Sequence, residues 1–397
     1  MKQVVTTEPK PIFLWTEDYQ ERALEQLRNL ANHPFTFRGP AAMADLQPGY
    51  GMPIGGVWAA QGAISPVAVG SDIGCGVRAC KIILSHDLTK AEIWDWVRRV
   101  KLRVPVGTAS RNEPLVQGLQ LPEATMFVEG LRVKAALQLG TVGSGNHFME
   151  LCTDGDNYWF LLHTGSRNLG KRVCDYYNEI AKRLNRRWRS QVPEKHDLAF
   201  LPTDTEEAAY YIKDMIFCLK YAKLNRRLIM REMQKALREL HPDIGFEQDI
   251  DCHHNFAALE NHEGQNLWVH RKGAIRARFN DMCIIPGSYG TASYIGKGQG
   301  NLKSFQSCSH GAGRKRSTTE SANILDLEAE STYLVKMGIL HDDLEQHHMG
   351  EAVGAYKNID EVMANQIDLV SADIKLTPIT TIKARNKKKV YKKGKEV

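Results

Sequence analysis

Residues 205–240 carry apolar side chains at Ala208, Ile212, Met215, Leu219, Ala222, Ile229, Met233, Leu237 and Leu240. That three-to-four spacing predicts one long amphipathic helix, interrupted only near Arg226. Thr203 and Glu206 are placed to form a capping box at its start. Residues 171–189, KRVCDYYNEIAKRLNRRWR, follow a glycine loop and predict a second helix. Elsewhere the apolar runs are short and strand-like. VRACKIIL (77–84) follows a glycine-rich turn, YWFLL (158–162) runs into HTGSR, LWVH (267–270) into RKGA, and MCIIP (282–286) into GSYGTAS. Strands that end in loops of glycine, hydroxyls and one or two chemical side chains are a usual way to build a site on a rigid scaffold. Such patches alternate with hydrophobic runs from 36 to 313 without a break in composition, which predicts one α/β domain. CSHGAGRKRS (308–317) has no hydrophobic period, so it is not a plain core element.

Composition narrows the class. With 397 residues the chain has room for one to three domains. No apolar run approaches the ~18 residues of a membrane span, and the first residues lack a secretory h-region, so a cytoplasmic setting is expected. Eight scattered cysteines without a CxxC pair do not form a disulfide framework. The net charge of +6 lies in the tail: residues 384–397 hold seven cations against Glu396, while residues 1–383 hold 45 charges of each sign. The tail is expected to be flexible, and its charge would suit a nucleic-acid arm.

Metal-binding residue types sit at four element ends. GSDIGCG (70–76) offers Asp72 and Cys75, GSGNHFME (143–150) offers Asn146, His147 and Glu150, LLHTGSR offers His163, and DCHHNF offers His253 and His254. Imidazole, thiolate and carboxylate are the donors of Zn, Mn, Fe, Co or Ni. Their wide separation requires the fold to gather them. Adjacent His253 and His254 would point opposite ways in an extended chain, so one is expected to face the metal. PGSYGTAS presents Ser288, Thr291 and Ser293 among glycines, a loop able to cradle phosphate, although it is not a Walker loop. Arg167 stands near a helix start, and Arg271 and Lys272 lie in a basic stretch that reads equally well as an anion site or a solvated loop. His310, followed by Arg314, Lys315 and Arg316, is a candidate metal ligand, general acid or nucleophile toward phosphorus; chemistry alone leaves the three open.

Taken together, GSDIGCG, GSGNHFME, HTGSR, CHHN, HRKGA, IIPGS-GTAS, CSHGAGR, AYKNIDEV and a closing lysine resemble the RtcB family of RNA-splicing ligases, in order, over residues 36–383. The resemblance implies an RtcB-type catalytic domain over 1–383, with an α/β fold of its own, followed by the basic tail. It implies GTP and two Mn²⁺ ions as cofactors. It also implies that an RNA end bearing a 3′-phosphate or 2′,3′-cyclic phosphate is joined to a 5′-hydroxyl end. The implied metal ligands are Asp72, Cys75, His147, His163 and His254, with Cys75 bridging two ions. His310 would carry the guanylate. Nucleotide contacts would come from Asn146, Glu150, Pro286, Ser288, Thr291, Ser293, Tyr356 and Lys383. Tyr356 would stack on the base, and Lys383 would reach in from the chain end. Arg167 and Arg314, helped by Lys315 or Arg271, would steer RNA phosphates.

Three departures accompany the resemblance. Many members read PDxHxG after an aspartate, whereas MADLQPGYG keeps Asp45 with no histidine near it. Tyr289 stands where methionine is frequent, and the chain runs fourteen residues past Lys383. Two other readings are a metal phosphohydrolase or nuclease that does not use GTP, and an RNA-binding protein without chemistry. Tyr356 and Lys383 argue against the first, and His310 with five metal ligands against the second. The RNA that is joined and any activating protein partner are left open.

Overall fold

The computed structural model describes residues 1–116, 123–341, 346–383, 391–392 and 395–396. Two sheets face each other. The first has six strands in the order Gln3–Val5, Ile12–Leu14, Ala41–Gln47, Ile54–Ala60, Gln265–Lys272 and Asn255–His262. The second has seven: Gly245–His253, Gly76–Ile83, Tyr158–Thr164, Phe148–Thr153, Ile374–Lys383, Ser293–Lys297 and Met282–Ile285. Pairing in both is antiparallel except where Phe13 and Leu14 run parallel to Ala41 and Ala42.

The continuous apolar runs are explained by burial on both faces. Val77 and Ala79, and likewise Trp159 and Leu161, point into the core between the sheets. Cys80 and Ile82, with Phe160 and Leu162, point outward beneath the helices Lys90–Arg103 and Glu206–Arg238. The helix Glu21–Ala31 covers the other sheet by packing Leu24, Leu27 and Leu30 over Ile12, Leu14 and Trp58. The result is a mixed α/β domain with helices outside a two-sheet core.

The long helix spans 33 residues, Glu206–Arg238, or about 50 Å. Its cap is Thr205, whose side chain accepts from the Ala208 N–H at 3.3 Å. The expected Thr203–Glu206 box does not form, because the chain is still extended at Thr205 and Thr203 lies two residues before that cap. The preceding helix, Arg167–Arg187, starts four residues before the predicted boundary. Most of the tail (384–390, 393–394 and 397) lies outside the described residues, and with it the expectation of flexibility there. Tyr391–Lys392 pairs with Lys395–Glu396.

Strand parity places the chemistry. Glu150 shares the inward face with Phe148 and Cys152, His163 with Trp159 and Leu161, and Asp45 with Ala41 and Met43. One row of the larger sheet pairs His253 with Gly76, Gly76 with Thr164, His163 with Phe148, and Phe148 with Lys383. At this end of the sandwich the inward positions change from apolar to polar.

Candidate active site

The turn Gly70–Cys75 is closed by the Cys75 N–H donating to the Asp72 carbonyl at 3.0 Å. It delivers Asp72 and Cys75 to the polar end of the sheet. The Cys75 Sγ lies 3.3 Å from Nε2 of both His147 and His163, and the Asp72 carboxylate lies 3.0 Å from His147 Nε2. The His163 ring is 5.2 Å from that of His254, which is 4.6 Å from that of His310. Five groups scattered over 183 positions thus form one chain of contacts ending at His310.

Carbonyls behind the imidazoles set their tautomers. His147 Nδ1 donates to Val142 O at 3.0 Å and His163 Nδ1 to Asn146 O at 3.1 Å. Each Nε2 lone pair therefore faces the sulfur, an arrangement that orients metal-bound histidines. His254 Nδ1 is buried without a partner. His253 is turned away and packs edge-on against Phe256, with ring centroids 4.3 Å apart.

Burial holds His163 and His254 neutral, well below the ordinary imidazole range. Burial, with the nearby Asp72 charge, pushes the Cys75 thiol up. Burial also opposes ionisation of Asp72, but its close neighbours His147, Cys75 and Arg167 together outweigh it and hold that carboxyl low. A thiol so placed ionises only beside a cation, and neutral imidazoles with an unpartnered ring nitrogen are ready ligands. The residues present therefore fit a divalent metal.

Arg226 supports this cluster from the long helix. It is fully buried, pairs bidentately with Asp251 at 2.8 and 2.9 Å, and donates to the carbonyls of Gly74 and Thr164 at 2.7 and 3.0 Å. Those carbonyls flank Cys75 and His163. The break in the helix's apolar period was the signal for this residue.

Beside this cluster lies a cleft whose wall includes His163, Asn146, Glu150, Pro286, Ser288, Ser293, His310, Arg314, Tyr356 and Lys383. Thr291 braces that wall, its Oγ1 accepting from the Ser288 N–H at 2.7 Å. Tyr289, the departure from methionine, also lines the cleft, with Lys383 Nζ 5.5 Å from its ring centroid. Glu150 is buried, its carboxyl raised by burial, and it accepts from Thr381 Oγ1 at 2.5 Å. Glu351, which the sequence did not single out, gathers the far wall. It pairs with Arg314, accepts from Tyr356 Oη at 2.6 Å and lies 3.4 Å from Lys383 Nζ. Arg314 also covers one face of the Tyr356 ring at 4.9 Å.

His310 sits where the cleft meets the cluster. Its Nδ1 lies 2.6 Å from Asp45 Oδ2, and its backbone N–H donates to the same oxygen at 3.0 Å. A carboxylate acceptor requires the proton on Nδ1 and leaves Nε2 as the free lone pair. Two glycines allow this approach. At Gly273, with φ +62, a Cβ would stand 3.0 Å from His310 Cε1, and at Gly313, with φ +73, one would stand 2.5 Å from the Asp45 carbonyl oxygen. Asp45 was noted only for lacking a nearby histidine in sequence; its histidine partner comes from 265 residues away.

The basic candidates separate. Arg271 is fully buried, paired with Glu260 at 2.6 Å, and Lys272 donates to Tyr50 O at 2.6 Å on the opposite face of the strand. That stretch is neither a solvated loop nor an anion site, because it is an interior strand between two sheet neighbours. Arg167 donates to Thr141 Oγ1 at 3.0 Å and to Gly107 O at 2.7 Å. Lys315 is exposed, and Arg316 donates to Gly354 O at 2.9 Å. A wider cleft of about 1260 Å³ opens from His310 and Asn146 past Arg22, Arg314 and Arg316.

A model of the family described as tRNA-splicing ligase RtcB matches residues 26–123 and 116–384. The chain belongs to the RtcB family. It is 33% identical over 408 residues to the RNA-splicing ligase RtcB of Escherichia coli, covering 96% of this chain and 99% of that protein. It is also similar to the tRNA-splicing ligases RtcB of Thermococcus kodakarensis, 31% identical with 87% of each chain covered, and of Pyrobaculum aerophilum, 29% identical with 91% of each covered. RtcB membership agrees with the mixed α/β domain. No described helix is long and apolar enough to cross a membrane.

Proposed function

We propose that this protein joins an RNA 3′-phosphate or 2′,3′-cyclic phosphate end to a 5′-hydroxyl end, using GTP and His310 as nucleophile. The observation that carries the reading is His310 itself: Nδ1 is tied to Asp45, Nε2 is left free, and one cleft wall is shared with the His–Cys–Asp cluster. In this reading Asp72, Cys75, His147, His163 and His254 would hold two Mn²⁺ ions. When bound, such ions neutralise phosphate charge and activate a hydroxyl or water.

His310 Nε2 attacks the α-phosphorus of GTP, the N–P bond forms, and pyrophosphate leaves with the electron pair. The ring then carries positive charge, which the Asp45 carboxylate offsets through the Nδ1 proton. Tyr356 packs on guanine, Glu150 and Lys383 contact its edge, and the Ser288–Ser293 loop holds phosphate or ribose oxygens. An RNA 3′-phosphate oxygen next attacks the same phosphorus and frees His310. The 5′-hydroxyl then displaces GMP. Arg314, Arg316 and Arg22 line an approach for RNA in the wider cleft. The proposed setting is the cytoplasm, which suits eight free cysteines.

The test is α-labelled GTP with Mn²⁺. Label should stay on the protein in alkali and leave in acid, as a phosphoramidate does, and His310→Asn should take none. RNA ends of defined chemistry should then be joined. A His310→Asn protein that still labels would refute the assignment. Trimming of RNA ends without labelling would favour the phosphohydrolase.

A further inference from the structure

A second group of metal-type donors lies far from His310. His86, Glu92 and His241 each offer one ligand atom, and the three atoms lie within 4.8 Å of one another. They come from three elements. His86 is in the turn after the strand Gly76–Ile83, Glu92 is in the first turn of the helix Lys90–Arg103, and His241 follows the long helix, its N–H donating to Leu237 O at 2.9 Å. Cys75 adjoins the opposite end of that eight-residue strand, which puts about 25 Å between the two places.

Apart from Ser85 Oγ, which lies 3.5 Å from His86 Nδ1, the local bonding leaves these donors free for a metal. Glu92 Oε2 is taken by the capping box, accepting from Thr89 N at 2.8 Å and Thr89 Oγ1 at 2.7 Å. Its Oε1 lies 3.5 Å from His241 Nε2, without the geometry of a hydrogen bond. That Nε2 is buried and has no hydrogen-bond partner. The exposed His86 ring stands edge-on to it, with centroids 4.9 Å apart. A buried ring nitrogen left unsatisfied is costly, and a metal would satisfy it. Zinc bonds of about 2.0–2.1 Å put tetrahedral ligand atoms about 3.3 Å apart. Rotation of the exposed His86 side chain closes the remaining distance.

We infer that His86, Glu92 and His241 bind a divalent cation of the zinc class, with water at the fourth position. The ion clasps the turn at Ser85–Thr89 to the end of the long helix. The two helices are already joined nearby, where Trp96 Nε1 donates to Met233 O at 3.2 Å.

Metal-free protein is titrated with Co²⁺ and Zn²⁺, and bound metal is counted after gel filtration. Wild type should hold one equivalent more than His86→Gln, an exposed substitution that leaves the fold intact by circular dichroism. The thiolate-to-cobalt absorption belongs to Cys75 and should be the same in both proteins, as should labelling by GTP. Cys75→Ala should lose that absorption and still bind the extra equivalent, so the two sites fail separately. Zinc should raise the melting temperature of Cys75→Ala but not of Cys75→Ala/His86→Gln. Equal stoichiometry in wild type and His86→Gln would overturn the site.

Discussion

At the scale of single residues, Asp45 decides what His310 can do. Asp45→Asn keeps the shape but removes the charge that holds the proton on Nδ1. Guanylylation should slow by roughly 10²–10⁴-fold, by analogy with loss of the orienting aspartate in a hydrolase triad. Metal content should not change; an unaltered single-turnover labelling rate would remove Asp45 from the mechanism. His270 is a different case, a histidine serving the interior. It accepts from the Ser65 N–H at 3.0 Å, lies 3.0 Å from the Trp268 carbonyl oxygen, and burial pushes it down to about 3. The unfolded chain, with an ordinary value near 6.5, takes up this proton as pH falls and the folded chain does not. Stability from this group is therefore full above about 6.5 and falls as pH drops toward 3. Between pH 7 and pH 5 the loss should be about 2 kcal/mol. In urea titrations His270→Gln should be less stable at pH 7 but lose less on acidification. Sequence pointed to His163 because it ends an apolar run, and to His310 because it sits in a run of small residues followed by three cations. It gave no such signal for Glu351, an ordinary acid until Arg314, Tyr356 and Lys383 converge on it.

At the scale of elements, the long helix does more than pack. Its apolar stripe was readable from spacing, and the break at Arg226 marked the side chain that holds the carbonyls around Cys75 and His163. Arg226→Met leaves the buried Asp251 with Arg78 at 3.5 Å as its remaining cation, so a loss of roughly 3 kcal/mol, the low end for a broken buried pair, is expected. Manganese retention should fall with it; retention at the wild-type level in folded variant protein would separate the helix from the metal loops. Thr205→Ala should cost about 1 kcal/mol through loss of the cap, while Thr203→Ala should be near neutral. The reverse outcome would move the helix start. Strand positions were legible because runs such as VRACKIIL and YWFLL are buried on both faces. HRKGA was misleading for the same geometric reason: alternate cations on a central strand point into two different interiors, and each found a local partner.

At the scale of the whole molecule, charge and architecture separate. The body is balanced in charge, and seven of the cations lie after Lys383. Deleting 384–397 should weaken RNA binding most at low salt and flatten the dependence of log K on log salt, by up to about 0.7 per lost phosphate contact. An unchanged slope would leave the tail without a part in binding. Hydrophobic period, glycine punctuation and the order of short chemical motifs were enough to specify an α/β chain of the RtcB type and most of its candidate ligands. These are local properties, set by which side of a strand or helix each residue occupies. The meeting of Asp45 with His310, the clamp at Glu351 and the grouping of His86 with His241 depend on long-range sheet order and helix docking. Contacts between residues hundreds of positions apart leave no periodic trace in the chain, because their spacing is set by how the layers pack.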